Sequence, residues 1–309
     1  MARWTFHIAI LALLAAGLGA AAQPRAPMES VTVTGTRSHQ VIENFVASLA
    51  APARLTGKIA RWEDGVCPLT VGLRPGAAKF ITQRVRSIAA MVGAPVNNSA
   101  ACKPNIEIVF TTKPQALLDN IARKQEVFLG YADTSAQRKT LATVTRPIQA
   151  WYTTATKDLR GQEEVDNAKG GGAELAISDS QNPGSIVTMA MPYAHGRNIT
   201  GSRLGDGLRS TFYHIIIVAD PSKLVDYEIG TLADYIALLA LTQLHAPDTC
   251  QQLSSIVNLL APDCEPKTNA LTDNDIGYLR GLYKMSPDRT LRVQQDEVAY
   301  QMGQALDGR

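Results

Sequence analysis

Residues 231–244, TLADYIALLALTQL, constrain this chain more than any other stretch. A helix on a protein surface keeps one polar face; this segment has apolar residues around its whole circumference and a single charge, Asp234. Such a helix has to be covered on every side, so the fold must supply a sheet or helices around it. The material is present, because 45% of the 309 residues are hydrophobic and only 19% are charged.

The surrounding pattern indicates what does the covering. VIENFVASLA has apolar residues at helical spacing from Val41 onward, and KFITQRVRSIAAMVGA places Phe80, Val85, Ile88, Ala89 and Val92 on one stripe before Gly93 and Pro95 stop it. RLTGKIARWEDGVCPLTVGL alternates as strands do, broken by EDG. NIEIVFTT reads as a strand with Ile106, Ile108 and Phe110 on one side and Glu107 and Val109 on the other. A helix restarts at KPQALLDNIARKQ, with Pro114 in its first turn. RPIQAWYTTAT, SIVTMAMPYA and STFYHIIIVAD read as strands, and residues 226–245, 272–284 and TLRVQQDEVAYQMGQAL as helices. Mixed strands and helices followed by helices alone predict one α+β domain over residues 41–309. Residues near 157–184 read as a long flexible polar loop, because Gly170, Gly171 and Gly172 are followed by no phosphate-binding lysine pair and no helix start.

The first residues, MARWTFHIAILALLAAGLGAAAQPRAP, combine a basic start at Arg3, a short apolar run from Ile8 to Leu18 and small residues at Ala20, Ala21 and Ala22. That is the pattern of a secretory signal peptide over 1–22, cut near Ala22, and it predicts a periplasmic or secreted protein. An uncleaved anchor is the alternative, disfavoured by the short run and the QPRAP that follows. No later stretch is long and apolar enough for a membrane span in the mature chain. The four cysteines, Cys67, Cys102, Cys250 and Cys264, are an even set suited to disulfides in an oxidising compartment. Three connectivities are open, and nearest-neighbour pairing is the favoured one. The formal net charge of +2 provides no field for nucleic acid.

Residues 23–40 read as an extended segment. Within it, VTVTGTR (Val31–Arg37) alternates β-branched residues and resembles the short segment near the mature N-terminus of TonB-dependent outer-membrane receptors, although no series of barrel strands follows. An exposed tail or edge strand is the plainer reading.

ADYIALLALTQ aligns with the zinc motif of metzincin-type metallopeptidases, H-E-x-x-H-x-x-G-x-x-H. Ala233 falls at the first ligand, Asp234 at the general base, Ala237 at the second ligand, Ala240 at the glycine and Gln243 at the third ligand. LTDNDIGYLRGLYK is similar to the closing helix of matrix-type members, matching at Leu271, Thr272, Asp275, Ile276, Leu279, Leu282 and Tyr283 and departing at Lys284. The resemblance covers residues 215–285. It implies a zincin-like fold, a twisted sheet with a buried helix beneath it and C-terminal helices. It also implies a lost metal, since alanine binds none and glutamine is a poor zinc ligand. Taken whole, the chain also resembles a family of exported alphaproteobacterial proteins from which no activity carries over. A plain core helix without that ancestry accounts for the same apolar pattern.

Other chemistry is sparse. His39, His195, His214 and His245 show no i, i+4 pairing, and no G-x-S-x-G is present. His214 and His245 both read as core or edge histidines, with capping of the helix C-terminus the other reading for His245. YAHGRNITGSR gathers His195, Arg197 and Arg203, a set able to hold an anion, or else an exposed hairpin loop. No cofactor motif is found. The expectation is an exported non-catalytic module whose groove, with Ala233, Asp234, Ala237 and Gln243 as candidates, holds a peptide or an envelope protein. A hydrolase with a dispersed site is the alternative.

Overall fold

The computed structural model describes residues 35–166, 174–178, 186–190, 206–245, 247–265 and 267–307. In chain order these form α1 (Gly35–Leu49), β1 (Pro68–Val71), α2 (Pro75–Val92), β2 (Ile106–Phe110), α3 (Pro114–Gln125), α4 (Ser135–Leu141) and β3 (Ile148–Lys157). Then come β4 (Glu163–Val165), β5 (Glu174–Ser178), β6 (Ile186–Ala190), β7 (Arg209–Ala219), α5 (Ile229–Leu241), α6 (Asp273–Lys284) and α7 (Leu291–Asp307). The fold is α+β, built on a five-stranded sheet of order β1-β2-β7-β3-β4. β1, β2 and β7 run parallel, whereas β3 is antiparallel to β7 and β4 antiparallel to β3. β5 and β6 form a separate antiparallel pair.

Each sheet face has its own core. On one side, α1, α2, α5, α6 and α7 pack with Ile106, Ile108, Phe110, Phe212, Ile215 and Ile217. On the other, α3 and the 3-10 turn Glu126–Leu129 supply Leu118, Ile121, Phe128 and Leu129 against Val109, Trp151, Ile216 and Val218. Because both faces are covered, all five residues of β2 are buried, and odd and even positions divide between the two cores. α5 lies inside the first core, with every residue from Thr231 to Leu241 buried. Each large apolar side chain so covered contributes roughly 1.5–3 kcal/mol relative to exposure.

Helix ends follow local chemistry. α2 begins on Pro75 and ends on Gly93 at φ 85, where a left-handed residue closes the helix without a Cβ clash. α6 opens with a capping box, the Thr272 hydroxyl accepting from the Asp275 N–H and the Asp275 carboxylate accepting from the Thr272 N–H. That carboxylate also accepts from the Ile256 N–H at 2.9 Å, tying the preceding loop to the helix. Gly281 gives α7 its close approach, since a Cβ there would stand 2.7 Å from the Val298 carbonyl oxygen.

The cysteines form two disulfides, Cys67–Cys102 and Cys250–Cys264. No helix among the described residues is long and apolar enough to cross a membrane.

Three sequence expectations need correction. The stretch expected to be extended up to residue 40 is already helical from Gly35, because Phe45, Val46 and Leu49 form a buried face that draws the preceding turns into α1; Val31–Thr34 lie outside the described residues. Phe80 is 44% exposed, and Ile81 takes its place on the α2 stripe. One residue is a 100° turn, and only Ile81 is in phase with Val85, Ile88 and Val92. Lastly, the loop expected near 157–184 contains β4 and β5. β4 pairs at the sheet edge, where Glu163 faces Lys157, so its charge hid it from an apolar pattern. Gly170–Gly172 lie outside the described residues.

Candidate functional site

The C-terminal end of α5 is held by a ring of side-chain donors. A helix leaves its last four carbonyls without helical partners. Here the Leu238 carbonyl accepts from the Thr242 N–H at 3.1 Å, and that of Ala240 from Trp62 Nε1 at 2.8 Å. The Tyr152 hydroxyl shares its one proton between the carbonyls of Leu239 and Thr242, at 3.0 and 3.1 Å. The Tyr283 hydroxyl serves Leu241 at 2.9 Å. Burial pushes the phenol pKa values of Tyr152 and Tyr283 up, so both stay protonated donors. The helix end is thus fixed to β3, to α6 and to the segment before β1.

Beside this end lies a cavity of about 160 Å³. α5 contributes Tyr235 and Leu239, at i and i+4, and Gln243 follows two residues past the helix end; β3 contributes residues from Ile148 to Thr154. Ala53, Arg54, Leu129–Tyr131, Leu141, Arg146, Leu244 and Pro247 supply the other walls. Among the described residues the lining contains two arginines, Arg54 and Arg146, and no Asp, Glu, His or Cys. Arg146 is occupied, its guanidinium meeting Asp248 at 2.7 and 2.5 Å. Arg54 is exposed and makes no ion pair among the described residues.

Among the described residues, the β3 wall has a neighbouring strand on one side only over much of its length. β3 pairs with β7 from Ile148 to Lys157, yet β4 pairs with it only from Ala155 to Lys157. Two contacts orient the free stretch. The Asp166 N–H donates to the Thr154 carbonyl on the β4 side. A Cβ on Gly130, which sits at φ 98, would stand 2.7 Å from the Tyr152 carbonyl oxygen. Ladder bonding alternates in an antiparallel pair, so Ile148, Ala150 and Tyr152 turn their N–H and C=O groups away from β7. No described strand takes those of Ile148 and Ala150, while the Gly130 backbone covers the Tyr152 carbonyl.

The residues aligned with the zinc motif stand elsewhere. Ala233 and Ala237 are 0% exposed in the first core and do not border the cavity. Asp234 is buried and bound to the Arg84 guanidinium at 2.5 and 3.0 Å, and it also accepts from the Leu271 N–H at 3.0 Å. Its carboxylate ties α5 to α2 and to the entry of α6. Of the groove residues expected, only Gln243 lines the cavity; the stripe that does so is offset by two residues from the aligned one. The reason is helical phase, because α2 packs against the aligned stripe. Among the described residues no group of three His, Cys, Asp or Glu side chains is placed to hold a metal. His195, Arg197 and Arg203 lie outside the described residues. Tyr235, Tyr152 and Arg54 were not expected. The i, i+4 relation of Tyr235 to Leu239 was visible, but nothing local to Arg54 distinguished it.

A second polar feature is sealed. Glu107 of β2 and His214 of β7 are each 2% exposed, with the His214 Nε2 3.9 Å from the Glu107 carboxylate. Neither side chain has a hydrogen-bond partner among the described residues. The Phe128 ring stands edge-on to the imidazole at 5.3 Å. A bulge in the β3–β7 ladder sets Thr153 opposite His214 and Thr154 opposite Phe212, skipping Tyr213. The extra residue turns His214 into the second core while Phe212 and Ile215 stay in the first. Burial pushes the Glu107 carboxyl up to about 8 and the His214 imidazole down to about 3. Neither residue borders the cavity, so the strand histidine is a core residue.

No protein-family model matches the chain, and neither does any curated protein or solved structure.

Proposed function

We propose that this chain is an exported, non-catalytic binding module that takes an extended peptide as an added strand along the open edge of β3. The observation that carries the reading is the run from Ile148 to Trp151, which among the described residues is paired with a strand on one side only and lines the cavity. Strand addition obtains affinity from main-chain hydrogen bonds and selectivity from pockets for alternate side chains. Ile148 and Ala150 offer the former, and the apolar hollow over Tyr235 and Leu239 the latter. The helix end beneath is pre-organised by its ring of donors, which lowers the ordering cost of binding.

The scaffold is a zincin-like one that has lost its zinc site. Supporting this are the antiparallel strand beside the cavity, the apolar helix that follows β7, and the capped helix beginning at Asp273. Two of the three metal-ligand positions of the resemblance are filled by the core alanines Ala233 and Ala237 and the third by Gln243, and the α5 residues facing the cavity are Tyr235 and Leu239. The leader over 1–22 delivers the chain to the periplasm or the exterior, where its two disulfides form.

Substituting proline at Ala150 tests the reading, because it removes one outward N–H and leaves the ladder to β7 intact. A fluorescein-labelled pool of random hexapeptides should bind the wild-type protein and fail to bind the folded Ala150→Pro variant. Equal binding by both removes strand addition. Stoichiometric zinc in protein recovered from its own envelope, or turnover in a broad peptidase and esterase screen, would overturn the non-catalytic part.

A further inference from the structure

The sheet edge remote from β3 carries the Cys67–Cys102 disulfide, with β2 and β7 standing between β1 and the cavity strand. Its two sulfurs differ in access. Cys67 is 4% exposed, whereas Cys102 is half-buried and follows an exposed stretch from Asn97 to Ala101. Both are met by a cation. The Arg86 guanidinium of α2 donates to the Cys102 Sγ at 3.2 Å, and the same nitrogen stands 3.9 Å from the Cys67 Sγ. Its other terminal nitrogen donates to the Asn97 carbonyl at 3.0 Å, and no carboxylate pairs with it among the described residues.

A guanidinium set against a disulfide is mismatched, because neutral sulfur is a weak acceptor. A thiolate matches it, and the same N–H groups would then make charge-assisted bonds. The contact therefore favours the reduced pair over the bridge and eases departure of a thiolate. The Cys250–Cys264 bridge lacks this feature. Asp263 and Glu265 flank Cys264 in the chain, and no side-chain donor reaches either sulfur among the described residues. Opening the first bridge is also local. The Val66 N–H donates to the Pro95 carbonyl at 2.9 Å, the Asn97 N–H to the Val66 carbonyl at 3.1 Å and the Asn105 N–H to the Cys67 carbonyl at 3.1 Å. These bonds keep the chain in place on either side, so only the turn between Asn97 and Asn105 is released.

We propose that Cys67–Cys102 is a thiol-exchange site for a dithiol reductant, attacked at Cys102 and poised by Arg86. A thiolate of the reductant bonds to the Cys102 Sγ as the Cys67–Cys102 bond breaks, and the electron pair goes to the Cys67 Sγ beside the guanidinium. The second thiolate of the reductant then bonds to its own partner sulfur in the mixed disulfide. Cys102 leaves as a thiolate against Arg86. Two electrons have passed to this chain, the reductant has become a disulfide, and its two protons are left to the new thiols or to solvent. The site is separate from the β3 edge and does not depend on strand addition.

Dithiothreitol is the probe. The oxidised protein is equilibrated without denaturant in buffers of reduced and oxidised dithiothreitol, free thiols are alkylated, and each bridge is read by peptide mass mapping. The equilibrium constant for reducing Cys67–Cys102 should exceed that for Cys250–Cys264 by about tenfold, which is about 30 mV for a two-electron couple. Arg86→Gln should lower the first constant about tenfold, in line with one charge-assisted hydrogen bond, and leave the second unchanged. Arg86→Lys should keep part of the effect. With glutathione as a monothiol probe, the mixed disulfide should be found on Cys102. If Cys67–Cys102 is the harder bridge to reduce, it is a structural staple and the proposal is wrong. If Arg86→Gln moves neither bridge, or both alike, Arg86 does not poise the site and the proposal fails. Glutathione on Cys67 would overturn the direction of attack. The bridge comparison and the glutathione adduct use wild-type protein, so they decide the matter even if an Arg86 variant does not fold.

Discussion

Replacing Glu107 and His214 together by leucine should flatten the dependence of stability on pH. The two side chains are buried without hydrogen-bond partners among the described residues, and burial is what moves both pKa values. Glu107 has its folded pKa raised from 4.5 to about 8, so its favourable contribution is complete below 4.5 and is lost as pH rises through 8. His214 has its folded pKa lowered from 6.5 to about 3, so its contribution is complete above 6.5 and is lost as pH falls through 3. Between 4.5 and 6.5 the unfolded chain carries one proton on this pair, on the imidazole, and the folded chain also carries one. The two terms cancel there and stability is flat. Above 6.5 the folded state holds a proton the unfolded state has released, and stability falls with rising pH. Below 4.5 the unfolded state binds the extra proton, and stability falls with falling pH. Each arm spans about one and a half pH units at roughly 1.4 kcal/mol per unit, which is about 2 kcal/mol. The proton count sets this result, so it holds whether the shared proton sits on the carboxyl or on the imidazole.

Urea unfolding of the oxidised protein at pH 3.5, 5.5 and 8.5, for wild type and the double variant, reads the effect. Wild type should lose about 2 kcal/mol relative to the variant on going from pH 5.5 to 8.5, and about 1 kcal/mol on going to pH 3.5, where the acid arm is only partly traversed. The variant should be at least as stable at pH 5.5, since orphaned polar atoms cost about 1–3 kcal/mol each and leucine carries none. Parallel profiles from pH 6.5 to 8.5, or a wild type that gains on the variant as pH rises, would refute the reasoning.

Ala237→His should cost roughly 2–4 kcal/mol in chemical denaturation, because a ring is forced into a fully buried alanine site and a polar group is buried with it; an unchanged unfolding midpoint would show that this position opens on a cleft. Arg84→Ala should cost about 2–3 kcal/mol by leaving the Asp234 carboxylate buried without its cation, less than a wholly buried pair because the arginine is partly exposed. Adding Asp234→Leu to Arg84→Ala should recover most of that loss, and no recovery would mean the ion pair is not the cause. Tyr283→Phe removes the donor to the Leu241 carbonyl at the end of α5 and should lower stability by about 1–2 kcal/mol, read as a shift in the thermal midpoint.

How far the sequence reaches is clearest at α5. Its burial was legible because every face is apolar, a property carried within a few turns of chain. The Thr272–Asp275 capping box was legible for the same reason, since both partners lie within one helical turn. An even cysteine number in a chain with an export-type leader was enough to expect bridges, and short loops were enough to favour neighbouring pairs. The residues Ala233, Asp234 and Ala237 were placed on a groove by alignment to a pattern, and alignment carries no information about which side of a uniformly apolar helix is covered. That was decided by the packing of α2, through Arg84 and its neighbours, against one stripe, with the cavity left to Tyr235 and Leu239. Arg54 meets β3 across about a hundred residues of intervening chain, and Glu107 meets His214 across a similar distance through a parallel pairing and a single bulge. Helical and strand periodicity, caps and cysteine parity are set by neighbours in sequence, so the sequence alone determined them. Which buried group faces which other, and where a strand edge is left open, depends on contacts between segments that no local pattern encodes, and only the tertiary structure decided those.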